Sequence, residues 1–235
     1  MEKYISQIAA LPVSARVERL KEEMLAEPRF VSIEQARIIT RVYQQTEGES
    51  PSIRRAKALR ASLEEMSIRI LPEERIVGNR TPGVRGGVVF PETGASWVDR
   101  EFETLPTRAQ DRFGVHEEDV RAFREEILPY WKGRSLEDRV RAVAGAEVDR
   151  VARVIKINQK DHSQGHICPN VRKWLRLGPA GLRAEAEAHL GSASDKQRDF
   201  YRSIQIVMEG AQAFMRRYAD LAEKLYAEHA EASLA

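Results

Sequence analysis

From Asp195 onward the sequence sustains one pattern longer than any other. Phe200, Ile204, Met208, Ala211, Met215, Tyr218, Leu221 and Leu225 recur at intervals of three and four residues. That spacing sets them along one face of a helix for about eight turns. A helix of this length is held mainly by tertiary packing of its apolar face, so it requires partners along its whole length.

The remainder of the chain supplies candidates for those partners. Ser14 stands before VERLKEEMLAE, where Val17, Leu20 and Met24 keep helical spacing. Ser32 and Gln35 form a capping box ahead of IEQARIITRVYQQ, the hydroxyl and the amide each able to satisfy an orphan backbone donor. Ser50 and Pro51 place a cap and a first-turn proline before IRRAKALRASLEEM. Further helices are predicted near VDREFETL, over HEEDVRAFREEILPYWKG, and from Ser135 through LEDRVRAVAGAEVDRVARVI. NVRKWLRLG closes at Gly178 and GLRAEAEAHLG at Gly191. Helical patterning stops at ILPEERIVGNRTPGVRGGVVFPETG, where two prolines and five glycines fall between Gly78 and Gly94. The expected organisation is one unit, mainly α with a few short strands: 1–70 helical, 71–96 extended, 97–235 helical.

Composition narrows the function classes. Charged residues make up 31% of the chain yet nearly cancel, to +2, so no single-sign field marks a nucleic-acid binder. The single cysteine cannot form an internal disulfide, which fits a reducing compartment. No window approaches eighteen uninterrupted apolar residues, and the N-terminus lacks the layout of a signal peptide. The sequence is read as that of a soluble, cytoplasmic protein.

Chemistry concentrates in KDHSQGHICP, residues 160–169, which holds His162, His166 and Cys168. Two histidines four apart would share a helix face suited to zinc. Gly165 between them and Pro169 after them oppose that helix, so a loop offering hydrogen-bonding groups is favoured over a metal site. Gly78 and Gly83 have phosphate-loop spacing, but Val84 and Arg85 stand where Lys and Ser or Thr are required. Trp97, Trp131 and Trp174 are read as core anchors, and the pairs Arg54-Arg55 and Arg216-Arg217 as solvated or ion-paired.

Several stretches, taken in order, resemble the N-terminal part of the glycyl radical enzymes, the pyruvate formate-lyase and diol-dehydratase-like family. They are RVERLKEEMLAEPRFVSIEQARIIT (16–40), TEGESPSIRRAKAL (46–59), ILPEERIVGNRTPGVRGGVVFPE (70–92), GHICPNVRKWLRLGPAGLRAEAE (165–187) and the final long helix. The resemblance implies the helical region that wraps a ten-stranded α/β barrel, in a homodimeric anaerobic lyase. It further implies a glycyl radical installed by a radical S-adenosylmethionine activase, and a cysteine thiyl that abstracts hydrogen from a small substrate. The family's thiyl cysteine, in a Cys-x-Glu context, and its radical glycine have no counterpart here. Cys168 is followed by Pro169 and Asn170, so that role is not transferred. The resemblance thus implies a portion of an enzyme that needs the polypeptide C-terminal to Ala235 and binds no cofactor itself.

Within that portion, residues 156–170 correspond to an active-site loop. Gly165-His166 with Asn170 matches the family's GH-x-x-x-(D/N) stretch, which implies His166 near the substrate hydroxyl as a general acid. Lys156, Asn158, Lys160 and His162 occupy the segment from which subfamilies draw substrate-selecting residues. The cations lean toward a carboxylate or sulfonate substrate rather than a neutral diol, unless Lys156 and Lys160 simply point to water. A diol dehydratase and a non-catalytic helical scaffold remain the alternatives.

Overall fold

A computed structural model describes residues 13–155 and 168–232. Ten helical segments and one short parallel strand pair order these residues, and the core lies between the helices of the first half of the chain. Among the described residues no helix is long and apolar enough to cross a membrane.

Helix α1 (Ala15–Ala26) starts where Ser14 accepts from the Val17 N–H, as its sequence predicts, but buries none of its residues. Its tie to the rest is electrostatic: Arg16 donates to the Glu73 carbonyl and Arg19 pairs with the Glu73 carboxylate. The chain then extends through strand β1 (Val31–Ser32), which pairs in parallel with β2 (Gly87–Val88), while Phe30 bridges to Gly114. A Cβ on Gly114 would stand 2.4 Å from the Phe30 ring, so the bridge depends on glycine at that position.

Strand pairing displaces the expected capping box. Ser32 is drawn into β1, helix α2 (Glu34–Gln45) takes Ile33 as its cap residue, and the Ser32 hydroxyl accepts from the Glu34 N–H at 3.4 Å. Helix α3 (Pro51–Glu65) begins at the predicted Ser50-Pro51 pair. Helix α4 (Pro91–Glu101) starts with proline at its first position, earlier than the VDREFETL pattern suggests, and leaves helical geometry at Gly94.

Helix α5 (Glu117–Ala122) passes into a π turn over Phe123–Ile127 and then into α6 (Leu128–Trp131). The Leu128 N–H bonds the Phe123 carbonyl, widening the turn just ahead of Pro129, which has no N–H to continue an α ladder. Phe123 and Ile127 become fully buried there, beside Ile39, Phe102 and Trp131. The Trp131 indole donates to the Thr40 hydroxyl at 2.8 Å, which donates in turn to the Ala36 carbonyl at 2.7 Å. Thr40→Val keeps the shape but strands the buried indole N–H. It is expected to lower unfolding free energy by about 1–3 kcal/mol in a urea titration.

Helix α7 (Leu136–Ala152) is capped by Ser135 as predicted and kinks at Ala144. Helix α8 (Val171–Leu190) is broken by Gly178, whose φ of 60° lies in the left-handed region, so the two predicted helices form one kinked element. The long run from Asp195 is a single helix, α9 (Asp195–Ala232), and its partners are α3 and α8. The crossing with α3 is close enough that a Cβ on Gly210 would lie 2.9 Å from the Arg60 Cα. Of the three tryptophans only Trp131 is a core residue; Trp97 and Trp174 are substantially exposed.

Candidate functional site

Lys156, Asn158, Lys160, His162 and His166 lie outside the described residues, so the structure places only what brackets them. On one side α7 ends in a turn at Val154 and Ile155. On the other the chain resumes at Cys168, exposed and unbonded to another cysteine, and enters α8. Asn170, the last residue of the GH-x-x-x-(D/N) stretch, caps α8 by accepting from the Lys173 N–H at 3.0 Å. That bond explains why Asp or Asn suits the position: the side chain fixes where the loop after His166 becomes helix.

The Gly-rich stretch is held in place by side-chain hydrogen bonds. The Asn79 carboxamide donates to the Ser67 and Thr81 carbonyls at 2.8 and 2.9 Å, and its oxygen accepts from the Arg69 N–H at 3.0 Å. The Tyr218 hydroxyl accepts from the Asn79 N–H at 3.0 Å and donates to the Asn79 side-chain oxygen. Arg69 closes the loop from the other side through the Thr81 and Pro82 carbonyls. Asn79 thus locks the end of α3 to α9. Sequence reasoning missed Asn79, although an Asn after Gly in a turn is the available signal.

The paired arginines divide their roles. Arg55 pairs with Glu92, whereas Arg54 donates to the Tyr43 carbonyl and the Tyr130 hydroxyl at 2.7 and 2.9 Å and lies over the Tyr43 ring. Arg217 caps the C-terminus of α3 through the Leu63 and Met66 carbonyls, at 2.9 and 2.6 Å, rather than facing water or a carboxylate.

A cleft of about 550 Å³ opens beside β1, with Phe30, Arg37, His116 and Asp119 among its walls. Phe30 and His116 stack at 4.4 Å. Burial pushes the Asp119 carboxyl above its ordinary pKa, against the lowering influence of His116 and Arg37. Arg37 is already committed to Glu126 through two hydrogen bonds, at 2.8 and 2.6 Å, which hold the Glu126 carboxylate below its usual range.

A second carboxylate joins α4 to the start of α7. Glu137, at the start of α7, is only 4% exposed. It accepts from the Trp97 N–H at 3.0 Å, just past the break at Gly94, and from Arg100 at 2.7 Å. It therefore acts as a borrowed cap for the second half of α4 and fixes α7 against it.

Comparison with known proteins connects these features. The pyruvate formate lyase-like family model matches residues 8–234. The (2S)-3-sulfopropanediol dehydratase of Klebsiella oxytoca is 26% identical over 224 residues, 89% of this chain and 27% of that protein. The isethionate sulfite-lyase of Desulfovibrio desulfuricans is 28% identical, again over 89% of this chain and 27% of the relative. The crystal structure of a glycyl radical enzyme from Archaeoglobus fulgidus superposes with a TM-score of 0.81 at 32% identity, covering 89% of this chain and 28% of that one. The chain spans about a quarter of the length of these relatives. By its match over nearly all its residues, by its helical fold and by these likenesses, it belongs to the pyruvate formate lyase-like family of glycyl radical enzymes.

Proposed function

We propose that this chain is the helical, substrate-selecting portion of a glycyl radical lyase acting on a small anionic substrate, a sulfonate or a carboxylate. The observation that carries the reading is a family match over residues 8–234 whose relatives include a sulfopropanediol dehydratase and a sulfite-lyase. The cations Lys156 and Lys160, in the segment between α7 and α8, support the anionic choice.

The rest of the enzyme would supply a thiyl that takes a hydrogen atom from the substrate and later returns it. This chain's residues would hold the substrate for that exchange. Lys156 and Lys160 bind the anionic group through charge-assisted hydrogen bonds, and Asn158 and His162 set its orientation. His166 donates to the group that departs, delivering the proton that turns a leaving hydroxyl into water. The complete enzyme is a cytoplasmic homodimer activated by a radical S-adenosylmethionine enzyme in this reading. A diol dehydratase is the second reading, because the sulfopropanediol relative is itself a dehydratase.

The test is an anaerobic substrate panel of sulfonates, carboxylates and neutral diols on the complete, activated enzyme. In Lys160→Met the KM for the anionic substrate should rise about 10- to 150-fold, the equivalent of one charge-assisted bond of about 1.5–3 kcal/mol. KM for a neutral diol should stay as it was. An unchanged KM for every anion would remove the sulfonate or carboxylate reading and leave the diol.

A further inference from the structure

Two helical surfaces on either side of residues 156–167 carry large apolar side chains that the described residues leave exposed. After its start at Glu137, α7 buries nothing. Val140, Ala144, Val148 and Val151 nevertheless recur along it at spacings of four, four and three, with Val143, Val154 and Ile155 beside that stripe. Val143 is 89% exposed and Val154 86%. At the start of α8, Val171, Trp174 and Leu175 repeat the i, i+3, i+4 pattern, and Leu175 is 77% exposed. Amphipathic spacing of this kind has no purpose on a solvated helix, where the same residues carry an aggregation liability.

The charges around these surfaces leave an excess of guanidinium, because Glu147 and Asp149 are already paired with Arg150 and Arg141. Arg139, Arg153, Arg172 and Arg176 have no ion pair among the described residues. Whatever covers these helices therefore presents an apolar centre edged with carboxylates. The 27% of the relatives' length that this chain spans leaves nearly three quarters of such an enzyme to provide that surface.

We infer that the apolar side of α7 from Val140 to Ile155 and the first two turns of α8 form the face on which the rest of the glycyl radical enzyme docks. That docking holds the two ends of the His166 segment. The inference rests on the reading that this chain is one portion of such an enzyme. It adds which surface makes the joint and what chemistry the opposing surface carries. Arginines at the rim steer and orient the joint, and the valines and Leu175 at its centre supply the burial.

The experiment places Val143→Glu and Leu175→Glu, singly, in the 235-residue chain and in the complete enzyme. In the chain alone both sites face water, so Tm should move by no more than about 1 °C. In the complete enzyme each carboxylate would be forced into an apolar joint. Tm should then fall by about 5 °C or more, or soluble enzyme should be lost. Arg172→Glu, which needs no apolar burial, should weaken the complete enzyme in the same direction by a smaller shift.

Equal silence in both contexts overturns the inference. So does destabilisation of the isolated chain, which would mean the faces are already covered within it. A third overturning result is a dimer of the isolated chain, seen by light scattering, that either glutamate dissociates, since the occupant would then be a second copy. Failure of the functional reading looks different. It would appear as a wild-type complete enzyme without a glycyl radical signal or lyase turnover, whatever the glutamate variants do.

Discussion

His166→Ala in the complete, activated enzyme is expected to lower kcat by about 10²- to 10⁴-fold, the usual contribution of a positioned general acid. The glycyl radical signal per chain should remain at the wild-type level, because the proposed function puts radical installation on residues outside this chain. The two readouts separate a chemical role from a folding role, since a misassembled enzyme would lose both. The size of the effect also reports the leaving group. A hydroxyl departs as water only with a proton in hand, whereas sulfite leaves as a stable anion and gains less from an acid. A loss near 10⁴-fold points to dehydration, and a loss closer to tenfold points to sulfite release. An unchanged kcat removes His166 from the chemistry.

The second large effect is structural. Glu137→Ala should destabilise the fold by about 3 kcal/mol, because it strands the Trp97 N–H at the break in α4 and removes two or more charge-assisted contacts. For a chain of this size that corresponds to roughly 6–12 °C in Tm. Arg100 and Arg141 are themselves well exposed, so neither becomes a buried unpaired charge and the cost stays below that of a fully buried ion pair. Glu137→Gln retains one oxygen to accept from Trp97 and should lose about half as much. Equal stability of the alanine variant and the wild type would show that α4 and α7 do not depend on this joint.

The long helix was legible in the sequence because its apolar residues repeat over its entire length, and local periodicity needs no knowledge of the partner. Ser14 and Ser135 were legible for a similar reason, since a cap acts within its own helix, whereas Ser50 takes the cap position of α3 without a side-chain bond to its first turn. Ser32 was misread as a cap because the competing claim on it comes from Gly87 and Val88, far along the chain. Trp97 and Trp174 are exposed despite reading as core, because a large apolar side chain looks the same in sequence whether the fold buries it or not. Arg217 carried no local sign of its role, which depends on α3 ending near α9 in space. Asn79 and Glu137, the two polar residues that lock helices together, are invisible to patterning for the same reason. The family likeness was carried by the TEGESPSIRRAKAL and IVGNRTP stretches. The structure gives the second a physical basis, since Asn79 is where three segments of the chain are tied.

The π turn at Phe123–Ile127 makes the number of residues in its neighbourhood matter as well as the identity of its buried Phe123 and Ile127. One residue more or fewer rotates everything beyond it by about 100° around the helix axis. Trp131 meets Thr40 only in the present phase, and Ser135 and Glu137 follow directly from that placement. Exchanges at the solvent-facing Glu125 leave that phase intact. An insertion or deletion would turn the indole, the cap and the borrowed carboxylate away from their partners together, so the segment acts as a timing element between the core and the helix that leads to residues 156–167.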